Sequence, residues 1–219
     1  MSLDQPEFVT YAQNLFSKHG ADYERIKEKL QKAKDTKWRL AELTHFYYFI
    51  CRPEKDENEV RDELRIVGIT SLIEAMMESE EYQDVVTYFE SNFLSKNSIE
   101  DVAQFKKEYL SKHGSNRKIV KYFESYFSKD DLEEFFESIK IWSQEKKNFI
   151  KFKKPEELAK FLYQMRSDFV HKADMKSFCP KSAHVALLHV GGKWYDVKIK
   201  MEKVLEVFEK SFVKYWEEI

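Results

Sequence analysis

The chain has 219 residues, of which 42% are hydrophobic, 16% aromatic and 35% charged, with a formal net charge of -2. This length and supply of large apolar side chains suit one large domain, and the charge content is too high for a membrane protein. The small net charge excludes a protein that is basic over its whole surface, although a local basic patch remains compatible with it. Because the sequence has neither a signal-peptide pattern nor an apolar run of membrane-spanning length, we expect a soluble cytoplasmic protein.

Few residues interrupt the chain, since it has only five glycines and four prolines, and this favours long helices. Cys51 and Cys179 are the only cysteines and lack CxxC spacing, so neither a disulfide nor a structural zinc site is predicted. The sequence also has no glycine-rich phosphate loop, no GxSxG elbow and no paired-carboxylate motif. We therefore expect no cofactor and no metal.

Three helices are predicted in the N-terminal part, over residues 6–18, 21–34 and 37–51. The phrase FSKHG is typical of a helix end, with Gly20 as the first residue past it, and LSKHG, which ends at Gly114, should end another helix. A charged connection over residues 54–62 follows. It leads into VRDELRIVGITSLIEAMM, where apolar residues recur every three or four positions, so we expect a central core helix there.

Helical patterns continue over residues 81–96, 99–113, 117–127 and 130–144, and Pro155 begins a further helix. After Pro180 the spacing of the apolar residues changes from the helical period to that of strands. HVALLHV and KWYDVKIK are two β-prone runs around residues 191–192, typical of a two-residue hairpin, and an amphipathic helix beginning near Met201 closes the chain. The predicted fold is all-α, a helical bundle with one β-hairpin inserted near residues 184–200.

The helix that begins at Pro155 carries the first candidate site. At about 100° per residue, its core-facing sector holds the apolar residues Leu158, Phe161, Leu162, Met165 and Phe169. Ser167 and His171 project from nearly the opposite side, and Arg166 lies on the flank, about 140° from His171. Periodicity alone leaves two interpretations open, a reactive site and a solvated polar helix face. Tyr163 and Val170 add apolar area away from the core sector, which would suit the association of two copies of this helix.

The segment KKNFIKFKK, residues 146–154, directly precedes this helix and is called the lysine segment below. Its lysines are Lys146, Lys147, Lys151, Lys153 and Lys154, and they are interleaved with Phe149, Ile150 and Phe152. Lysines neutralise phosphates while an exposed phenylalanine stacks on a base, so the pattern indicates binding of single-stranded RNA. The alternative is a solvated loop whose aromatic side chains enter the core.

Two stretches together resemble a known family. LYQMRSDFVHKAD is similar to the signature helix of HEPN domains (higher eukaryotes and prokaryotes nucleotide-binding), with its Arg-x4-His motif at Arg166 and His171, and LYxxRSxxVH looks most like the ApeA-like branch. LRIVGITSLIEAMM is similar to the earlier core helix of that branch, with Ile73-Glu74 where the branch commonly has Leu-Glu. The resemblance covers residues 57–219 and implies a HEPN-like domain over 54–219 with a helical extension over 1–53.

The resemblance implies a metal-independent endoribonuclease in defence or toxin-antitoxin biology. It implies a homodimer in which the Arg166–His171 helices of two copies face each other, with RNA or a nucleotide as ligand and an antitoxin as a further partner. His171 would be the general acid or base, Arg166 would stabilise charge on the phosphate, and Ser167 would orient either group. The lysine segment would guide RNA towards the groove.

Two other interpretations stay open. The chain is a catalytically inactive module that binds a nucleotide or a protein, or it is a structural helical protein in which an acid such as Glu74 pairs with Arg166. The active-site interpretation is lost if Arg166 and His171 are both buried within one copy of the chain and paired with acids.

Overall fold

The structure is a computed structural model that describes residues 6–30, 34–51, 62–77, 86, 88–89, 102–172, 179–182, 185–190 and 193–219. Within these ranges the chain is mostly helical, as the sequence predicts, with an antiparallel sheet in addition. The helices are α1 (Pro6–Lys18), α2 (Tyr23–Lys29), α3 (Lys34–Cys51), α4 (Asp62–Met76), α5 (Val102–His113), α6 (Ser115–Tyr126), α7 (Lys129–Ser138), α8 (Pro155–Lys172) and α9 (Met201–Glu218). The strands are β1 (Ile139–Ser143), β2 (Asn148–Ile150), β3 (Cys179–Ser182), β4 (Val185–Val190) and β5 (Lys193–Ile199).

Helix α4 lies at the centre of the bundle, as the sequence predicts. It packs against α3, α6 and α8, and no side chain from Ile66 to Met76 is exposed. Gly68 allows the close approach of α3, because a Cβ there would lie 2.5 Å from the Cδ1 atom of Ile50. The helix is therefore buried around almost its whole circumference, and any polar group that it carries needs a partner.

The N-terminal helices share one core with the C-terminal helix. Phe16 of α1 and Tyr47 of α3 both contact the ring of Phe212 in α9, with ring centroids 6.2 and 5.7 Å away. Glu209 of α9 accepts a hydrogen bond of 3.0 Å from the Tyr47 hydroxyl. These contacts join helices from both sides of the predicted domain boundary, between residues 53 and 54, in one hydrophobic cluster. The boundary itself stays a prediction.

Both SKHG phrases end a helix, but their glycines do so for different reasons. Gly20 has a φ of 80°, and the N–H of Ala21 after it donates to the Phe16 carbonyl at 3.0 Å, as in a Schellman motif. Gly114 has a φ of -70° and is the N-cap of α6. A Cβ at Gly114 would lie 2.5 Å from the Leu110 carbonyl oxygen. Glycine is therefore needed here because of this close contact, and not because the backbone is left-handed.

The five strands form one antiparallel sheet in the order β2-β1-β5-β4-β3. Helix α7 leads directly into β1, and the Lys200 N–H donates to the Ser138 carbonyl at 2.8 Å where β5 passes into α9. Ile139, Ile141 and Val197 are buried in the core cluster, so one face of the sheet completes the core. Because side chains alternate along a strand, the residues between them lie on the opposite face.

The sheet is larger than the single hairpin predicted near residues 184–200. Strands β4 and β5 form that hairpin, and its turn residues 191–192 lie outside the described residues. The predicted helix over residues 130–144 is wrong after Ser138, since residues 139–143 form β1 and pair with β2 inside the lysine segment. In β1 two buried isoleucines alternate with Lys140 and Trp142, a pattern that suits a half-buried strand.

Two predicted helices differ in extent or cannot be compared. Helix α2 ends at Lys29, short of the predicted residue 34, and the helix predicted over residues 81–96 lies mostly outside the described residues. Of the helices described, none combines the length and the apolar character that crossing a bilayer requires.

Three buried tyrosines predict a loss of stability at high pH. Burial raises the pKa of Tyr23 and of Tyr215 to about 12, and it also raises the pKa of Tyr122. Because the unfolded chain ionises these phenols at about pH 10, their contribution is complete below that pH and is lost as the pH rises through the folded-state pKa. We expect the free energy of unfolding, measured with urea, to fall between about pH 10 and 12.

Lysines also lose their protons in this pH range. The variant Tyr215→Phe separates the effect of a buried phenol on stability from that of the lysines. The Tyr215 hydroxyl donates to the Met76 carbonyl at 2.7 Å, so the variant should lose about 1 kcal/mol of unfolding free energy at pH 7. Above pH 10 its stability should decline less steeply than that of the parent chain, because one buried phenol is gone. Equal slopes for both proteins would contradict this role for Tyr215.

Candidate functional site

Helix α8 carries the three residues of the predicted catalytic set. Its core-facing sector is confirmed where side chains are described, since Leu158, Leu162 and Met165 are buried and the helix packs against α4 and α6. Tyr163 is partly buried against the core cluster, so it adds less exposed apolar area than the self-association hypothesis assumes. The side chain of Val170 lies outside the described residues.

Arg166 reaches from α8 to α4, where its Nη2 atom lies 3.0 Å from Oε2 of Glu74. Only 26% of the Arg166 side chain and 11% of the Glu74 side chain are exposed. The Arg166 Nε atom is buried and has no hydrogen-bond partner among the described residues. The contact between Arg166 and Glu74 that the structural interpretation requires is therefore present. It is stronger than a surface ion pair because less water screens it.

Ser167 and His171 continue the same helix. Ser167 is partly exposed directly beside Arg166. The backbone of His171 lies in α8, whereas its side chain lies outside the part of the chain that the structure describes. Because residues four apart project from the same side of a helix, Ser167 and His171 share one side of α8. The structure thus brings Arg166 next to Glu74, whereas Ser167 adjoins Arg166 only as the following residue of the helix. The approach of the His171 ring to them stays a prediction.

All five lysines of the lysine segment are exposed. Among the residues that the structure describes, none of the five forms an ion pair, whereas Lys18, Lys193 and Lys203 each pair with a glutamate. The segment is not the plain loop of the alternative interpretation, because β2 runs through it and Lys147 in the preceding turn has a φ of 50°. The lysine segment therefore presents its positive charges to solvent immediately before α8.

The aromatic residues of the lysine segment divide between solvent and core. Phe149 is 61% exposed. Phe152 is partly buried, and its ring lies 6.0 Å from that of Phe136 and 5.5 Å from that of Phe161. The alternative in which the aromatic side chains enter the core is therefore correct for Phe152 and wrong for Phe149.

Phe149 belongs to a face of the sheet that points away from the core. Among the residues whose side chains the structure describes, this outer sheet face is formed by Lys140, Trp142, Phe149, Trp194, Asp196 and Lys198. In register, Phe149 lies opposite Trp142 and Lys140 lies opposite Lys198, and the rings of Phe149 and Trp142 meet edge to face at 4.9 Å. Trp194 is 42% exposed and both lysines are exposed. The face thus combines exposed aromatic rings with positive charge.

The sequence prediction misses this face because it extends a helix through residue 144. A short signal for a strand is present in IKIWS, where Lys140 separates two isoleucines. The turn that follows, residues 144–147, contains no glycine, proline or asparagine, so the usual turn signal is missing.

Possible metal ligands do not gather in this region. Among the residues that the structure describes, no three His, Cys, Asp or Glu side chains lie close enough together to hold a metal ion.

The Arg166–Glu74 contact predicts a measurable coupling energy between the two residues. We expect Glu74→Gln to lower the free energy of unfolding by about 2 kcal/mol, because it leaves a mostly buried guanidinium without its carboxylate. In a double-mutant cycle with Arg166→Gln, the coupling should be about 1 to 2 kcal/mol, measured by urea denaturation.

The matched control is Glu134→Gln. Glu134 pairs with Lys203 at 3.1 Å, but 36% and 51% of their side chains are exposed, so this change should cost less than about 0.5 kcal/mol. A coupling near zero between positions 74 and 166 would mean that the ion pair does not hold Arg166.

Comparison of the chain with protein-family models, with curated proteins and with solved structures gives no match in any of the three. The HEPN resemblance therefore stays a prediction from the residues of α4 and α8.

Proposed function

We propose that this chain is a HEPN-like protein that binds single-stranded RNA and cleaves it without a metal ion, in a defence or toxin-like role. One observation carries the proposal. The exposed lysine segment, whose lysines form no ion pairs among the described residues, runs directly into α8, where Arg166 is held by Glu74 beside the partly exposed Ser167. RNA is a polyanion, so lysines without carboxylate partners favour its binding next to this arginine.

The proposed chemistry gives each residue one role. A ribose 2′-hydroxyl attacks the adjacent phosphate, the bond from phosphorus to the 5′-oxygen of the next nucleotide breaks, and a 2′,3′-cyclic phosphate is left. His171 acts as general base or acid, taking the proton of the 2′-hydroxyl or giving one to the departing 5′-oxygen. Arg166 stabilises the negative charge that develops on the phosphoryl oxygens, and Ser167 donates a hydrogen bond to the phosphate or orients the arginine. Glu74 is a positioning residue, since it holds one end of the guanidinium by a single contact of 3.0 Å.

The proposal includes a homodimer in which the Arg166–His171 parts of two α8 helices face each other. Two sets of Arg166, Ser167 and His171 then line one groove, and each lysine segment leads into it. The partial exposure of Ser167 supports this arrangement, because a residue on that side of α8 has to be accessible to a second copy.

A second candidate function is a catalytically inactive module that binds a nucleotide or a protein. The Arg166–Glu74 ion pair favours it, since a carboxylate 3.0 Å from the guanidinium already neutralises charge that a phosphate would need. In this case Arg166 supports the bundle and the lysine segment alone binds the ligand.

The cleavage test uses a long single-stranded RNA in the presence of EDTA. We expect the parent protein to cleave it and His171→Ala to be slower by about 100-fold or more, because a general acid or base contributes about that factor. The variant Lys129→Ala changes an exposed residue at the start of α7 and should leave the rate unchanged. Unfolding temperatures of all variants confirm that they are folded.

Three results separate the two candidates. Cleavage that is lost in His171→Ala but kept in Lys129→Ala supports the ribonuclease. Cleavage that survives His171→Ala rejects the role of this residue, and a folded parent protein that binds RNA without cleaving it favours the inactive module.

The lysine segment predicts the salt dependence of RNA binding. Replacing Lys147, Lys151 and Lys153 by alanine should weaken binding and reduce the slope of log K against log salt by about 2, since each lost phosphate contact removes about 0.7. Fluorescence anisotropy with a labelled RNA between about 50 and 200 mM salt measures this slope. The control replaces Lys106, Lys107 and Lys129, which are also exposed. The same loss of slope in both triple variants would show that only net charge matters.

A further inference from the structure

Two lysines lie directly opposite each other on the outer sheet face. Lys140 of β1 pairs in register with Lys198 of β5, and both are exposed. Within the described part of the chain, neither of them forms an ion pair with a carboxylate. Like charges at directly opposed positions destabilise a sheet, because their Cβ atoms are only about 5 Å apart. An anion bound between the two ammonium groups would relieve this repulsion.

A row of aromatic rings lies beside the lysine pair. Phe149 and Trp142 are neighbours across β2 and β1, and Trp194 of β5 lies diagonally from Trp142, whose direct partner is Asp196. Phe149 is 61% exposed and Trp194 is 42% exposed. Diagonal neighbours in a sheet are about 7 to 8 Å apart, so these rings offer successive surfaces on which planar groups can stack.

The outer sheet face also carries one carboxylate, since Asp196 lies in register with Trp142. It lies in the aromatic row, where its carboxylate accepts a hydrogen bond of 3.1 Å from the side-chain amide of Gln144. A carboxylate repels phosphate, so a strand of nucleic acid crossing this row presents bases to it. The next row, with Lys140 and Lys198, is where the phosphates are attracted.

We propose that the outer sheet face binds single-stranded RNA, with bases stacked on Phe149, Trp142 and Trp194 and a backbone phosphate between Lys140 and Lys198. Exposed aromatic rings on a sheet are a platform on which unpaired bases stack, and nearby lysines supply the charge complementarity. The choice of RNA over DNA rests on the proposed function, whereas the stacking and the phosphate contact do not. The face is carried by β1, β2 and β5 whereas Arg166 and His171 belong to α8, so binding to the sheet needs no cleavage.

The binding test uses the full chain with His171→Ala, so that cleavage cannot consume the probe. The probe is a fluorescein-labelled oligouridylate of about 12 nucleotides, and anisotropy gives the Kd. Phe149→Ala should weaken binding about 10-fold, which lies within the range for loss of one base–ring contact. Phe149→Trp should bind as tightly as the starting protein, and Phe149→Leu should bind as weakly as the alanine variant, because only an aromatic ring stacks.

The matched control is Phe49→Ala, which removes a ring that is 68% exposed on α3. It should leave the Kd unchanged. The double variant Lys140→Ala/Lys198→Ala should weaken binding and flatten its salt dependence more than Lys106→Ala/Lys107→Ala does. Binding should also quench tryptophan fluorescence, because Trp142 and Trp194 stack on bases while Trp216 is buried.

An oligodeoxythymidylate that binds as tightly as the RNA would overturn the choice of RNA over DNA. The proposal as a whole would be overturned by a Kd that Phe149→Ala does not change, by equal binding of Phe149→Leu and Phe149→Trp, or by equal losses in the two lysine pairs. Anionic vesicles or a protein partner whose binding depends on Phe149, without RNA binding, would also overturn it. The outcome is independent of the cleavage test. The ribonuclease proposal fails if the parent protein does not cleave RNA. The sheet-binding proposal fails if the cleavage-inactive protein does not bind RNA through the outer sheet face.

Discussion

The packing of α8 against α4 is the contact on which both the core and the candidate site depend. Because α4 is buried on almost every side, a side chain that reaches it from α8 has to be apolar or paired. Leu162 and Met165 are buried and apolar, and Arg166 pairs with Glu74. The same ion pair neutralises a carboxylate on a helix without exposed side chains from Ile66 to Met76, and it holds the guanidinium of Arg166 against that helix. Structure and proposed chemistry therefore share one contact.

The β1–β2 hairpin connects the two surfaces that we propose for RNA. Its strands carry Trp142 and Phe149 on the outer sheet face, and the lysine segment continues from β2 into the first turn of α8. Phe152 anchors this connection through its contacts with Phe136 and Phe161. A strand of RNA that lies on the sheet can therefore follow a continuous run of exposed lysines towards α8, while the buried Phe152 holds the run against the bundle.

The helices were predictable because their signals are local. The prediction for residues 6–18 coincides with α1, and Pro155 begins α8, since caps and the 3.6-residue period are properties of neighbouring residues. Strand β1 has only a short signal of its own, and nothing between Ser138 and Ile139 interrupts the helical pattern of α7, so the prediction extends the helix. Its strand conformation is stabilised by pairing with β5, more than 50 residues away in sequence. The outer sheet face depends on that register.

Opposite charges on two predicted core helices indicate the Arg166–Glu74 contact. Only the packing of α8 against α4 sets the distance between the two side chains.

Crosslinking of RNA to the full chain is the most direct measurement of where RNA lies. A single-stranded RNA containing 4-thiouridine, irradiated in complex with the His171→Ala protein and analysed by mass spectrometry, identifies the contacted peptides. We expect crosslinks within residues 140–154 and at Trp194, with further crosslinks along α8 near Ser167. Crosslinks confined to α1, α3 or α5, or none at all under conditions where RNA binds, would contradict the placement of RNA on the hairpin and α8.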